Sequence, residues 1–214
     1  MLKVFRQKYV TKIILWGILI LILPAFVIWG TGGMGRSGNK GPTYAGLINN
    51  KKISFDEFAE SISAVKCQLV LNYFNQPNIL DEFLKNKPFL GKLAWDRLIM
   101  AKEAKLRRIK ASDKEVVGLI RSHPLFLRSG AFDDRMYGYV LRNSLGMDAR
   151  TFEEMMRENI AIQKLQNLLT KDLKADETET LDKKKEKFLE GWLKTLELST
   201  TLNIDLKDYE KYYK

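Results

Sequence analysis

The sequence predicts a mainly α-helical domain with a small antiparallel β element, placed behind one N-terminal transmembrane helix. Three observations lead there. Beyond Ser54, several stretches repeat apolar side chains at helical intervals behind capping residues. Two short β-prone segments flank Asn49-Asn50, and asparagine accepts the positive φ that a two-residue hairpin loop demands. The run from Ile13 to Trp29, IILWGILILILPAFVIW, carries no ionisable or amide side chain.

That run sets the organisation of the N-terminus. At about 1.5 Å per residue it reaches roughly 26 Å as a helix, near the lower limit for crossing a hydrocarbon core of about 30 Å. Trp16 and Trp29 lie toward its ends, where indoles favour the interface, and Pro24 is tolerable in a membrane helix. Lys3, Arg6, Lys8 and Lys12 precede it and only Arg36 and Lys40 follow closely, which places residues 1–12 as a cytoplasmic basic leader and the body across the membrane. A cleaved signal peptide is the competing reading, because Gly30 and Gly32 offer small residues at cleavage-like spacing. The length of the run and its bulky aromatic end favour the anchor, residues 13–30. Residues 31–43 are rich in glycine and polar side chains and read as a flexible linker.

The formal charge of +10 suggests nucleic acid until its distribution is considered. All 26 acids lie at Asp56 or beyond. Of the 36 bases, eight (Lys3, Arg6, Lys8, Lys12, Arg36, Lys40, Lys51, Lys52) precede that point, leaving 28 to face the 26 acids. The body is nearly neutral, so no nucleic-acid partner is expected. A single cysteine, Cys67, allows neither an intramolecular disulfide nor a thiolate zinc cluster, and it sits in a helical pattern as a small core residue. No metal and no cofactor are implied.

From residue 44 the elements follow in order. Tyr44 to Ile48 and Lys51 to Ile53 form the hairpin. Ser54 and Glu57 make an S-x-x-E capping box, after which Phe55, Phe58, Ile62 and Val65 recur at helical spacing. A poorly patterned segment with Asn75, Pro77 and Asn78 comes before an amphipathic helix from Phe89 to Ile109. Ser112 and Glu115 form a second box, opening a helix that stops near His123 because Pro124 follows. In the next stretch Gly130 permits a turn and Asp133 caps a helix that ends near Gly146. Asp148 caps a long helix running from Phe152 to Leu169. Residues 170–187 are a charged connector without apolar period. Phe188, Trp192, Leu193 and Leu196 then give a helix one apolar face. Thr200, Leu202 and Ile204 alternate with polar residues as a strand able to join the hairpin, and residues 207–214 read as a tail.

The order of ISFDEF, DRLI, ASDKEVVGLI, HPLFLRSGAFDDRMYGYVLRNSLGM and TFEEMMRENIAIQKL resembles the chaperone domain of the SurA and PpiD group of periplasmic folding factors. The resemblance covers most of residues 44–169, and Phe126, Gly130, Phe132, Asp133 and Tyr137 carry its most specific part. Two departures stand out. The helix between DRLI and ASD looks shorter than is usual in the group, and the parvulin-type prolyl isomerase domain of most members has no room in the charged connector. Residues 188–206 look like the helix and strand that close the domain after that insertion. The resemblance implies an inner-membrane-anchored periplasmic chaperone without isomerase activity. Its partners would be unfolded polypeptide segments, the inner membrane through residues 13–30, and the translocation machinery.

A catalytic reading of the histidine stretch pairs His123 with Asp133 or Asp134, but no supported nucleophile stands nearby and no second histidine exists for a metal. Architecture is the expectation for those residues. The functional weight falls on Met100, Phe126, Phe132, Met136, Tyr137, Met147, Met155 and Met156 as the lining of a client-binding groove, since the unbranched thioether repacks cheaply against varied partners, and filling the core is the competing and favoured reading for any one of them. The competing reading of a different class is a non-catalytic scaffold subunit with one fixed membrane-protein partner.

Overall fold

The computed structural model describes residues 42–174 and 180–212. The basic leader, the apolar run and nearly all of the linker lie outside the described residues, and so does the expected anchor. Among the described residues, no helix is long and apolar enough to cross a membrane.

Strands β1 (Gly46–Ile48) and β2 (Lys51–Ile53) pair antiparallel with Gly46 opposite Ile53 and Ile48 opposite Lys51. Asn49 and Asn50 take φ of 50° and 61°, the left-handed pair of a type I′ turn. Helix α1 (Phe55–Tyr73) starts at Ser54, whose hydroxyl accepts the Glu57 N–H at 3.1 Å. The expected box is half formed, because the Glu57 carboxylate turns to the Lys102 ammonium instead of back to the cap.

A helix appears where the pattern predicts none. In α2 (Pro77–Lys85), proline fills the first turn, where its missing N–H costs no hydrogen bond. No residue of α2 is fully buried, but Leu80, Phe83 and Leu84 pack on the core from one side. Nine residues are too few for that stripe to stand out in the sequence. Helix α3 (Lys87–Leu106) follows behind Asn86, which accepts the Phe89 N–H at 3.2 Å. Helix α4 (Asp113–Ser122) carries the complete box, with the Ser112 backbone N–H donating to Glu115 at 2.8 Å and the reverse bond at 3.4 Å. Strands β3 (Leu127–Arg128) and β4 (Ala131–Phe132) form a minimal hairpin through Ser129 and Gly130, both at positive φ. Helix α5 (Asp134–Val140) runs into a π-turn that Gly146 ends at φ 63°. Helix α6 (Ala149–Thr170) is capped by Asp148, and α7 (Leu181–Glu197) by Thr180. Strand β5 (Thr200–Leu202) then pairs antiparallel with β1, giving the order β2-β1-β5.

Two principal cores result, and α1 serves both. Its Phe58, Ile62, Val65 and Leu69 join Ile48, Ile53, Leu90, Trp95 and Ile204 around the sheet. Its Ala64, Cys67 and Leu71 join Val116, Ile120, Phe126, Phe152 and Met156 around α4 to α6. Where β1 meets β5, a Cβ on Gly46 would sit 2.3 Å from the Thr201 carbonyl oxygen and 2.5 Å from the Trp95 ring, so only glycine lets the strand approach so closely.

The C-terminal region corrects three expectations. Helix α7 begins at Leu181, well inside the expected connector, because Thr180 supplies a cap and the lysines that follow are good helix formers. Phe188 is 41% exposed, since α7 meets the body only further along, through Trp192 against Leu165 and Leu169, and through Leu193 and Leu196. The last described residues, up to 212, are no tail: Tyr209 is buried edge-on to Phe58 at 5.9 Å, and Tyr212 stacks on Phe55 at 5.3 Å.

Candidate functional site

The His123 corner is architecture, as its residue types suggest. Nδ1 of His123 accepts the Leu125 N–H at 3.2 Å, and the ring also hydrogen-bonds the backbone of Leu71, tying the end of α4 to the end of α1. Burial lowers its pKa, with the Leu71 bond acting weakly in the other direction, so the imidazole is neutral at pH 7. Asp133 caps α5, accepting the N–H groups of Arg135 and Met136 at 2.8 and 2.9 Å, and the Met136 bond above all lowers its pKa. Both groups are committed to local backbone, and no hydrogen bond joins them. Behind them Phe126, Tyr137 and Phe152 make an edge-to-face trio with centroids 5.2 to 5.9 Å apart.

Two concave features flank this core. The larger is an open cleft of about 860 Å3 between the α1 and α3 faces and the chain from Leu145 to Glu158. Ala59, Leu145 and Met147 supply its more exposed apolar side chains, over a floor that includes the buried Ala64, Leu98, Ala101 and Met155. Its walls carry two ion pairs, Lys102 with Glu57 and Arg97 with Glu158 at 2.5 Å, together with Asp56, Glu60 and Lys105, which form no ion pair among the described residues. Arg97 is buried, also donates to Asn159 Oδ1 at 3.1 Å, and leaves Nε without a partner. Through these two partners Arg97 links α3 to α6. Nearby, burial pushes the Cys67 thiol up to about 12, with Arg97 pulling weakly the other way, so this thiol is inert. The smaller feature, about 90 Å3, lies further along α1 and opens between α1, α4 and α6.

The eight expected client-binding residues do not converge on one surface. Met147 and Met155 line the cleft, while Phe126 and Met156 line the small pocket. Phe126, Met155 and Met156 are only 1%, 8% and 3% exposed, so most of each side chain fills the second core. For these three the core-filling reading applies: in α6 the apolar stripe faces α1, α4 and α5, and burial takes it. Phe132 and Tyr137 are partly buried against the same core, and Met136 is exposed at the edge of α5. Met100 stands apart on α3, its Sδ 3.5 Å from the Gln166 amide nitrogen.

Sequence reasoning missed the polar part of both features. Glu57 reads in the sequence only as a capping-box residue, and Arg97, Lys102 and Glu158 have no role there. Gln68 and Asn72 on α1, with Asn159 and Gln163 on α6, are pairs spaced four residues apart, each pair therefore on one helix face. That spacing of carboxamides beside apolar stripes was the available signal. No group of three or more His, Cys, Asp or Glu among the described residues is placed to hold a metal ion.

Residues 1–166 match the family model for the SurA-like N-terminal domain. No curated protein and no solved structure matches the chain.

Proposed function

The chain belongs to the SurA-like N-terminal domain family, a family of chaperone type, and from that premise we propose that it holds unfolded or newly translocated polypeptides on the outer face of the inner membrane. The family match over residues 1–166 carries this reading. The open cleft supports it: apolar side chains bordered by charges of both signs, two pairs of them already satisfied within the chain, offer a client burial of side chains without demanding one fixed counter-charge. The apolar run before residue 30 and the basic residues ahead of it support the anchor and its orientation. We further propose that the protein holds without isomerising. A prolyl isomerase must enclose a proline and the twisting amide, whose uncatalysed barrier is about 18–20 kcal/mol, and only residues 171–180 separate α6 from α7 where such a domain would be inserted.

The test is aggregation of a chemically unfolded client diluted into buffer with the purified full chain, run beside a peptide prolyl isomerisation assay. Suppressed light scattering with an uncatalysed isomerisation rate is the expected pair of results. Crosslinking in the membrane adds the decisive contrast. Many unrelated captured chains fit a holding chaperone, and one recurring membrane protein would replace it with a scaffold.

A further inference from the structure

The small pocket between α1, α4 and α6 differs in kind from the cleft. Its lining contains no aspartate, glutamate, lysine or arginine, in a chain of which 29% is charged. Leu71, Leu119, Ile120, Phe126, Phe152 and Met156 give it an apolar interior. Around them stand the exposed carboxamides of Gln68, Asn72 and Gln163, none hydrogen-bonded to another described residue. His123 forms part of the wall, held rigid by its bonds to Leu125 and Leu71. From this geometry we infer that the pocket binds one aliphatic side chain of an uncharged, extended polypeptide segment, with the three carboxamides hydrogen-bonding the peptide groups on either side of it.

Each part of the inference has a physical reason. A carboxamide both donates and accepts, so it matches the N–H and C=O of a peptide bond without preferring a charge. A charged residue brought to this mouth would lose hydration and find no counter-ion. Volume decides the side chain. A cavity of about 150 Å3 holds benzene, so one of about 90 Å3 suits a branched aliphatic group and is too small for an aromatic ring without displacing Phe126 or Phe152. The site rests on the holding function proposed above and narrows it: the cleft tolerates varied clients, and the pocket selects among their side chains.

The chain has a single histidine and it lines this pocket, so the imidazole proton resonances report occupancy at one known place. The probe is an end-blocked peptide of serine, asparagine and threonine with one central guest residue, titrated into the detergent-solubilised full chain. A leucine guest should shift the His123 signal saturably, and a phenylalanine guest should bind about tenfold more weakly. Aspartate and lysine guests should bind more weakly still. Asn72→Asp with Gln163→Glu, at exposed positions that leave the core intact, removes donors and should weaken the leucine peptide about fivefold or more. No saturable shift, equal affinity for leucine and phenylalanine, or an unaffected double variant would each overturn the inference. Aggregation suppression measured in parallel separates the two readings. Suppression without a His123 shift removes the pocket and leaves the chaperone, and a selective shift without suppression does the reverse.

Discussion

The two principal cores of the domain are built from opposite kinds of contact. The core around the sheet joins the ends of the described chain: β1 pairs with β5, and Phe58 meets Tyr209. The core around α4 to α6 is local apart from α1, drawing on residues between Val116 and Ile160, and its aromatic trio lies within Phe126 to Phe152. The first therefore closes the domain, and the second, walled by short elements and turns, forms one side of both concave features. A change in the first should loosen the whole domain, whereas a change in the second should alter recognition before it alters folding.

The largest effect is expected at the chain's far end. Tyr209 is fully buried against Phe58, and truncating a buried aromatic of this size costs about 3–5 kcal/mol, so Tyr209→Ala should lower the denaturation midpoint strongly. Phe188→Ala serves as its contrast, because a 41% exposed ring on the free half of α7 should change stability by about 0.5 kcal/mol or less. Chemical denaturation of both variants decides the matter. If Tyr209→Ala costs no more than Phe188→Ala, the C-terminal residues do not close the first core.

How legible each core was in the sequence follows from the same difference. Caps and periods are local signals, so Ser112, Asp133 and Asp148 marked the starts of α4, α5 and α6, and Asn49-Asn50 marked the hairpin. Alternation at Thr200 to Ile204 indicated a strand able to join that hairpin. Tyr209 was not legible, because it lies in a charged stretch and is buried by residues far away in the sequence, among them Phe58, some 150 residues earlier, and the Gly91 turn of α3. The site was less legible than the fold. Met155, Met156 and Phe126 carry the right chemistry for adaptable contact, but an apolar stripe on a helix is taken up by the core first. What remains at the surface is polar, and carboxamides leave no trace in hydrophobic periodicity.

A smaller, pH-dependent effect is expected where α7 meets α3 in the first core. Asp96 and Glu197 share a hydrogen bond across this contact with Lys92 bridging both, and Lys194 lies near Glu197 on α7. Burial leads in pushing Asp96 up to about 6, whereas the Lys92 bond lowers Glu197 below its usual value. Asp96 therefore favours the folded state while protonated, and its contribution is lost as pH rises through about 6. Glu197 favours it while ionised, and its contribution is lost as pH falls below the ordinary value of 4.5. The Asp96 contribution therefore declines between its ordinary value of 3.8 and about 6, so the melting temperature should peak near pH 4.5, fall toward about pH 6 and level off above it. Asp96→Asn keeps a donor toward Glu197 at every pH and should flatten that decline. An unchanged slope in the variant would place the titration elsewhere.

The smallest expected change lies in the second core and bears most directly on function. The Tyr137 hydroxyl is buried without a hydrogen-bond partner, and burial, with Glu153 adding to it, pushes its pKa up to about 12. The ring is well placed, edge-on to Phe126 at 5.2 Å and Phe152 at 5.9 Å, so the packing resides in the ring and the oxygen is a cost. Removing an unsatisfied buried polar atom while keeping the ring should leave Tyr137→Phe within about 0.5 kcal/mol of the parent, or more stable by up to about 1 kcal/mol. A loss beyond about 1 kcal/mol would show that the hydroxyl has a partner in solution. Aggregation suppression by the same variant separates packing from recognition. If Tyr137 serves only the core, suppression is unchanged; if suppression falls while stability holds, the hydroxyl is a client contact, and recognition reaches from the pocket into the aromatic trio itself.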